Sequence, residues 1–347
     1  MKPEQPHALV KPAADRKGEV GKMGRAVTMI GKGGAGVPRF SSNGRRNFRK
    51  TLWRDRYLYL MLLPCMLYFF LFKYGPMVGL SIAFKDYKIS EGILGSEWVG
   101  LEQFRMLFSS PDFFHILYNT LFLSVLNIAI GFPIPIFLAI LLNEVRCQSF
   151  KKVTQSLLYI PYFISWVVLG GIITSILSPS TGAVNAILKF LGYEPIYFMA
   201  DPFWWRVVYV LSGIWQSAGW GTIVYLAAIT GIDEELYEAA RIDGANKLKQ
   251  ILHITLPGIM PTVAILLIMR MGSVLEVGFE QIYALQNDMV LSVSDVISTY
   301  EYRIGLQNMR YSYTTALGFF KSLIGLIMVV TANCIVKKLS DGENGLW

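Results

Sequence analysis

Long apolar runs alternate with short polar stretches from Tyr57 to Val336. A helix needs about 20 predominantly apolar residues to cross a hydrocarbon core roughly 30 Å thick. Six segments meet that requirement: Tyr57 to Phe72 with a continuation toward Phe84, Leu117 to Asn143, Leu157 to Leu177, Val207 to Ile229, Gly258 to Val277, and Ala316 to Val336. Lys73, Gly75 and Pro76 interrupt the first, which reads as a span that breaks at the outer interface and goes on as irregular structure. The pattern predicts an all-α polytopic membrane protein with six transmembrane helices in residues 51–347.

Composition agrees. Hydrophobic residues make up 53% of the 347 and charged residues only 16%, against about 25% charged in soluble domains. The net charge of +8 is unevenly placed: fourteen of the 32 Lys and Arg precede Tyr57, against four acidic residues. Arg146, Lys151, Lys152, Arg241, Lys247, Lys249, Lys337 and Lys338 fall on the same side of the spans, while the three opposite loops together carry eight Lys/Arg. This is the positive-inside pattern, so both termini are expected in the cytoplasm, and the basic charge signals membrane orientation rather than nucleic acid. Phe203, Trp204 and Trp205 sit where an outer aromatic belt belongs.

Residues 1–50, rich in Gly, Pro and basic side chains, are expected to form a disordered cytoplasmic tail. Gly31, Gly33 and Gly36 there spell G-x-G-x-x-G, but Pro38 and the Ser41–Gly44 run break the helix a dinucleotide site requires. No G-x-x-x-x-G-K-[ST] loop occurs, so ATP is not expected on this chain by that route. Cys65, Cys147 and Cys334 are far apart, as are the three histidines, which predicts neither a disulfide framework nor a metal site.

The most informative polar stretch is the loop 230–257 between the fourth and fifth spans. Asp233 can cap a short helix, Glu234 and Glu235 suit its first turn and Arg241 its last. Gly244 supplies a positive-φ stop, Asn246 caps a second helix, and Pro257 is expected to begin the next one. Ile232, Leu236, Ala239 and Ala240 share one face at helical spacing. An amphipathic helix lying on lipid would read similarly, but this face has little apolar bulk and no Trp or Phe to insert.

Glu238-Ala239-Ala240, Gly244 three residues on from Arg241, and then Ile254-Thr-Leu256-Pro257 resemble the EAA loop of ABC importer permeases. The extended form Glu-Ala-Ala-Arg-Ile-Asp-Gly-Ala is similar to carbohydrate-uptake permeases of the maltose-permease type. Tyr74-Gly-Pro76, Trp98-Val-Gly-Leu101, Asn119-Thr-Leu121, Leu141-Leu-Asn143 and Tyr159-Ile-Pro161 through Trp166 resemble the subgroup of polysaccharide and lipoprotein-associated sugar permeases. The resemblance implies a type I (MetI-like) permease fold in the cytoplasmic membrane, moving oligosaccharides by alternating access. It further implies a second, homologous permease subunit and two copies of an ABC ATPase holding ATP and Mg, so that no cofactor binds this chain and hydrolysis happens elsewhere. An extracytoplasmic sugar-binding protein is the remaining implied partner. In that frame Ile232, Leu236, Ala239 and Ala240 are expected to give apolar contact to the ATPase, Glu238 a polar contact, and Gly244 the angle between the two short helices; Ile254, Leu256 and Pro257 complete the motif.

Three charges fall inside expected spans: Arg270, Glu276 and Lys321. Such residues face a partner or a cavity rather than lipid. Two readings stand: a structural ion network using Glu276, or a translocation path with a positive lining, suited to an acidic saccharide such as a uronate oligomer. Asn127, Trp215, Gln216 and Trp220 are further candidates for sugar contact, since hydroxyls pair with amides and sugar faces stack on indoles. A membrane enzyme would need convergent carboxylates or a metal cluster, and a secondary transporter inverted repeats; neither pattern is visible.

Overall fold

A computed structural model describes residues 53–339; the basic tail and its glycine motif lie outside the described residues. The described chain is helical, apart from connecting turns and one small antiparallel pair, β1 (Lys85–Asp86) with β2 (Glu97–Trp98). It divides at Phe72 and Lys73 into two units.

The first unit contributes the opening of α1 (Arg56–Phe84), whose stretch Arg56–Phe69 has no buried residue. Contrary to the expected break after Phe72, α1 remains helical, passing through a π turn at Phe70–Tyr74 and a 3-10 stretch at Gly75–Phe84.

In the second unit, α2 (Glu102–Ser109) leads into α3 (Pro111–Glu144). Helices α4 (Gln148–Phe163) and α5 (Trp166–Ile176) follow, then the short α6 (Ala183–Phe190) and the long α7 (Pro202–Thr230). The elbow helix α8 (Glu234–Ile242) precedes α9 (Lys247–Gly272), and α10 (Phe279–Leu285) and further short turns lead to α11 (Tyr311–Leu339).

Prolines explain most of the irregularity. A proline inside a helix has no N–H, and its ring collides with the carbonyl four residues back. Of the four π turns among the described residues, three end two residues before a proline: Phe70–Tyr74 before Pro76, Asn127–Gly131 before Pro133, Ile251–Thr255 before Pro257. Each widened turn carries the helix past the ring. Pro257 begins the α-helical stretch Leu256–Gly272, as expected from its position, and the π turn Ile251–Thr255 joins that stretch to Lys247–Gln250 within α9.

The six spans are not alike. Among the described residues, α1, α3, α9 and α11 are long and apolar enough to cross a membrane. The segment expected as one span from Leu157 to Leu177 is broken, α4 and α5 meeting at 101°. Ile164 and Ser165 lie extended between them, after the Ile160–Phe163 turn that contains Pro161. Helix α7 has 29 residues, ample length, but is not among the apolar four, because Ser212, Gln216, Ser217 and Thr222 interrupt it. Helix α9 ends at Gly272, so the fifth span stops short of the expected Val277 and leaves Glu276 outside it.

Helix α7 is the hub and packs chiefly on α3, with α4, α9 and α10 around it. Where it crosses α4, a Cβ on residue 219 would stand 2.0 Å from the Leu158 carbonyl oxygen, so only glycine permits the approach. One apolar core at the elbow end joins Ala139, Tyr225, Ile229 and Ile259. Another at the far end joins Leu123, Trp205, Tyr209, Ile282 and Leu285. A third, with Leu107, Phe113, Leu275, Ile297 and Leu317, ties α2 and α3 to α11.

Candidate functional sites: an elbow and a groove

The elbow forms as its capping residues dictate. The Asp233 carboxylate accepts from the Glu235 N–H at 3.0 Å and Asn246 Oδ1 from the Lys249 N–H at 2.9 Å, so both short helices start on side-chain caps. Gly244 turns the chain between them at φ 77°, in the left-handed region that glycine enters without strain. Side chains then fix the elbow to the bundle. The Tyr237 hydroxyl meets Thr255 Oγ1 at 2.9 Å, Gln250 Nε2 donates to the Ala245 carbonyl at 3.0 Å, and Lys247 pairs with Glu144 at the end of α3 at 2.8 Å.

One expected contact residue and one further residue of the motif pack toward the core. Ile232 and Leu256 are half-buried and pack on the elbow-end core, Ile232 lying over Gly258. Ile232 thus packs on the bundle as well as carrying some exposed surface. Leu236 and Ala239 are exposed, Ala240 half-buried, and Glu238 is exposed beside Arg241 at 3.8 Å. Ile254 is half-buried, and Pro257 is exposed. Sequence reading missed Ile242, which is 87% exposed and completes a ridge with Leu236 and Ala239 at three-residue intervals. That spacing was legible; its nearness to the end of the helix hid it.

A groove of about 540 Å³ opens along α7. Its lining includes five of the expected contact residues, Asn127, Gln216, Trp220, Arg270 and Glu276, together with Tyr209, Trp166 and Gln281, which sequence reading did not assign to it. The π turn at Asn127–Gly131 sits on this groove and helps to place Asn127, whose Nδ2 donates to the Tyr209 hydroxyl at 2.9 Å. Tyr209 is buried and stacks on Trp205, while Gln281 Nε2 donates to the Tyr209 carbonyl at 2.6 Å and to Ser212 Oγ at 3.1 Å. Trp220 stacks on Tyr162 at 5.1 Å and 9°, and Gln216 Nε2 reaches the Tyr162 carbonyl at 3.4 Å. That carbonyl lies next to the break between α4 and α5, so the break borders the groove.

Two candidates fall elsewhere. Trp215 lines a separate apolar groove with Ile173, Val208 and Leu211. Lys321 binds Glu301 at 2.9 Å. Among the described residues Glu276 forms no ion pair with Arg270 or Lys321, so the first of the two readings is not seen; the acid that answers Lys321 comes from the turn at Glu301–Gln307, which a span-by-span reading of the sequence left unassigned. Nearby Arg303 binds the buried Asp295 at 2.5 Å, and this hydrogen-bonded pairing holds the guanidinium above its ordinary range against the opposing effect of burial. Asp295 also accepts from Thr299 Oγ1 at 2.8 Å.

A helical membrane component with a rigid polar elbow on one end and a groove along its central helix defines a class, that of transport permeases. Residues 113–341 match the family described as binding-protein-dependent transport system inner membrane component. The chain belongs to this family and is the permease subunit of an ABC importer. It is 49% identical over 308 residues to the polygalacturonan/rhamnogalacturonan transport system permease protein YteP of Bacillus subtilis, covering 89% of this chain and 95% of that one. It is 32% identical to the arabinooligosaccharides transport system permease protein AraP of the same organism, over 86% of this chain and 94% of that one. Among solved structures, a chain of the bacterial alginate ABC transporter in complex with an alginate pentasaccharide-bound periplasmic protein superposes with a TM-score of 0.80 at 43% identity. That match covers 86% of this chain and all of the other.

Proposed function

We propose that this chain forms half of the membrane pathway through which an acidic oligosaccharide, handed over by an extracytoplasmic binding protein, enters the cytoplasm. The observation that carries the coupling is the elbow: an exposed ridge of Leu236, Ala239 and Ile242 with Glu238 beside it, on a helix tied to α9 by Tyr237–Thr255, while Lys247–Glu144 ties the start of α9 to α3. An apolar ridge held this firmly outside the core suits a protein partner that pushes on it. The partner is an ATPase dimer, with ATP and Mg in the ATPase subunits and hydrolysis outside this chain. Closure of that dimer moves the elbow as a body and tips the helices between two states, the rigid-body switching by which one ligand biases a two-state equilibrium. A second, homologous permease completes the pathway, and both termini face the cytoplasm.

The acidic class of cargo is supported by the relatives, whose names specify polygalacturonan/rhamnogalacturonan and alginate, and by the groove, whose amides and indoles suit hydroxyls and sugar faces. Gly244→Val tests the coupling. Residue 244 has open space around it, so the substitution adds only left-handed strain of about 1–2 kcal/mol and no clash. In proteoliposomes of the whole importer the variant is expected to assemble and hydrolyse ATP while uptake drops at least tenfold. Uptake per ATP equal to wild type would refute the coupling role.

A further inference from the structure

Resting on the reading that the cargo is an acidic oligosaccharide, the groove can be searched for the group that recognises its acid. Helix α7 lines it from Tyr209 to Tyr225, about 24 Å at 1.5 Å per residue, a length that suits an extended chain of sugars. Its polar surface is mostly neutral. Asn127, Gln216, Ser217 and Gln281 supply amides and a hydroxyl, and the charged residues are Arg270 and Glu276.

Charges that face a membrane interior are costly unless paired, and two other cations of the C-terminal part are paired. Lys321 has Glu301 at 2.9 Å and Arg303 has Asp295 at 2.5 Å. Arg270 has no carboxylate within 4.0 Å among the described residues, although Glu276 lines the same groove. Its last-turn position in α9 does favour a cation, through the helix dipole. That requirement asks for a positive charge only, and lysine meets it. A planar guanidinium with unspent donors facing a groove meets a further one: it matches the two oxygens of a carboxylate in a fork that an ammonium cannot reproduce.

We propose that Arg270 is the carboxylate-reading residue of the translocation path, binding uronate groups as they pass while the neighbouring amides of Asn127 and Gln216 take sugar hydroxyls. Glu276, facing the same groove, accepts from hydroxyls and keeps an acidic chain from settling there permanently. Selectivity for acidic over neutral saccharides then resides partly in the membrane subunit and not only in the binding protein.

The test uses the complete importer in proteoliposomes, with trigalacturonate and its fully methyl-esterified form, which keeps length and linkage but removes the charges. Both are supplied at concentrations that saturate the binding protein, so each variant-to-wild-type ratio reports the permease. Arg270→Gln is expected to slow the acid at least tenfold and the ester by less than twofold; Arg270→Lys, which keeps the dipole role, is expected to slow the acid three- to tenfold and leave the ester unchanged. Equal losses for both sugars, or full acid transport by Arg270→Lys, would assign Arg270 to the structure and overturn the proposal. Wild-type importer that moves neither uronate nor ester would instead overturn the acidic-cargo reading itself.

Discussion

At the scale of single residues, the polar contacts that matter join elements that the sequence keeps far apart. Lys321 and Glu301 are both mostly buried, so removing one leaves the other charged and unanswered, at roughly 3 kcal/mol. Lys321→Met is therefore expected to lower the amount of folded protein in the membrane, and adding Glu301→Gln to restore most of it, while cargo selectivity stays as in wild type. Quantifying membrane abundance in the two single variants and the double closes that cycle. Additive losses would show that the pair is not a unit. The Tyr237 hydroxyl gives a milder case. Tyr237→Phe forfeits one hydrogen bond to Thr255, about 1 kcal/mol, and faster amide exchange confined to α8 is the expected signature.

At the scale of elements, a proline near a π turn is the recurring device. Pro257 is the one most directly joined to the elbow, since the widened turn Ile251–Thr255 sets the register between the elbow contacts and the rest of α9. Pro257→Ala removes the reason for the wide turn. If the turn tightens, residues before it rotate by about 100° relative to those after it, as one residue per 3.6 dictates. The variant is expected to melt at a higher temperature in detergent and yet to import more slowly. Unchanged uptake would show that the packing of Thr255 and Gln250 holds the wide turn without the proline. The α4–α7 crossing makes the opposite prediction: Gly219→Val drives a side chain into the Leu158 carbonyl and is expected to abolish accumulation in the membrane, because overpacking at a backbone contact has nowhere to relax.

At the scale of the whole molecule, a native thiol reports the orientation. Cys147 is exposed at the start of α4, close in sequence to Glu144, which pairs with Lys247 of the elbow. If the elbow is cytoplasmic, a chain with Cys65 and Cys334 replaced by serine is expected to react with a membrane-impermeant maleimide in inside-out vesicles and not in intact cells. Labelling from outside the cell would invert the topology. The charge balance points the same way as the expected result: the first 56 residues carry a net +10, and the remainder holds 18 Lys/Arg against 20 acidic residues.

Legibility in the sequence followed the range of the interactions. Caps, a positive-φ glycine and helical spacing act over three or four residues, so Asp233, Gly244 and Asn246 could be assigned their roles from the string alone, and the structure places each as expected. Apolar runs announce helices in the same local way. What the string could not show was which side of a helix meets which neighbour. Ile232 turned inward, Trp215 faced a different groove, Lys321 found Glu301, and one expected span folded at 101° about Ile164 and Ser165. Each depends on contacts between positions tens of residues apart, whose free energies are set by packing and not by local preference. The sequence by itself determined a helical membrane protein with an EAA elbow; only the tertiary structure brought Asn127, Gln216, Trp220 and Arg270 to one groove, because four residues on three helices converge only once those helices have packed.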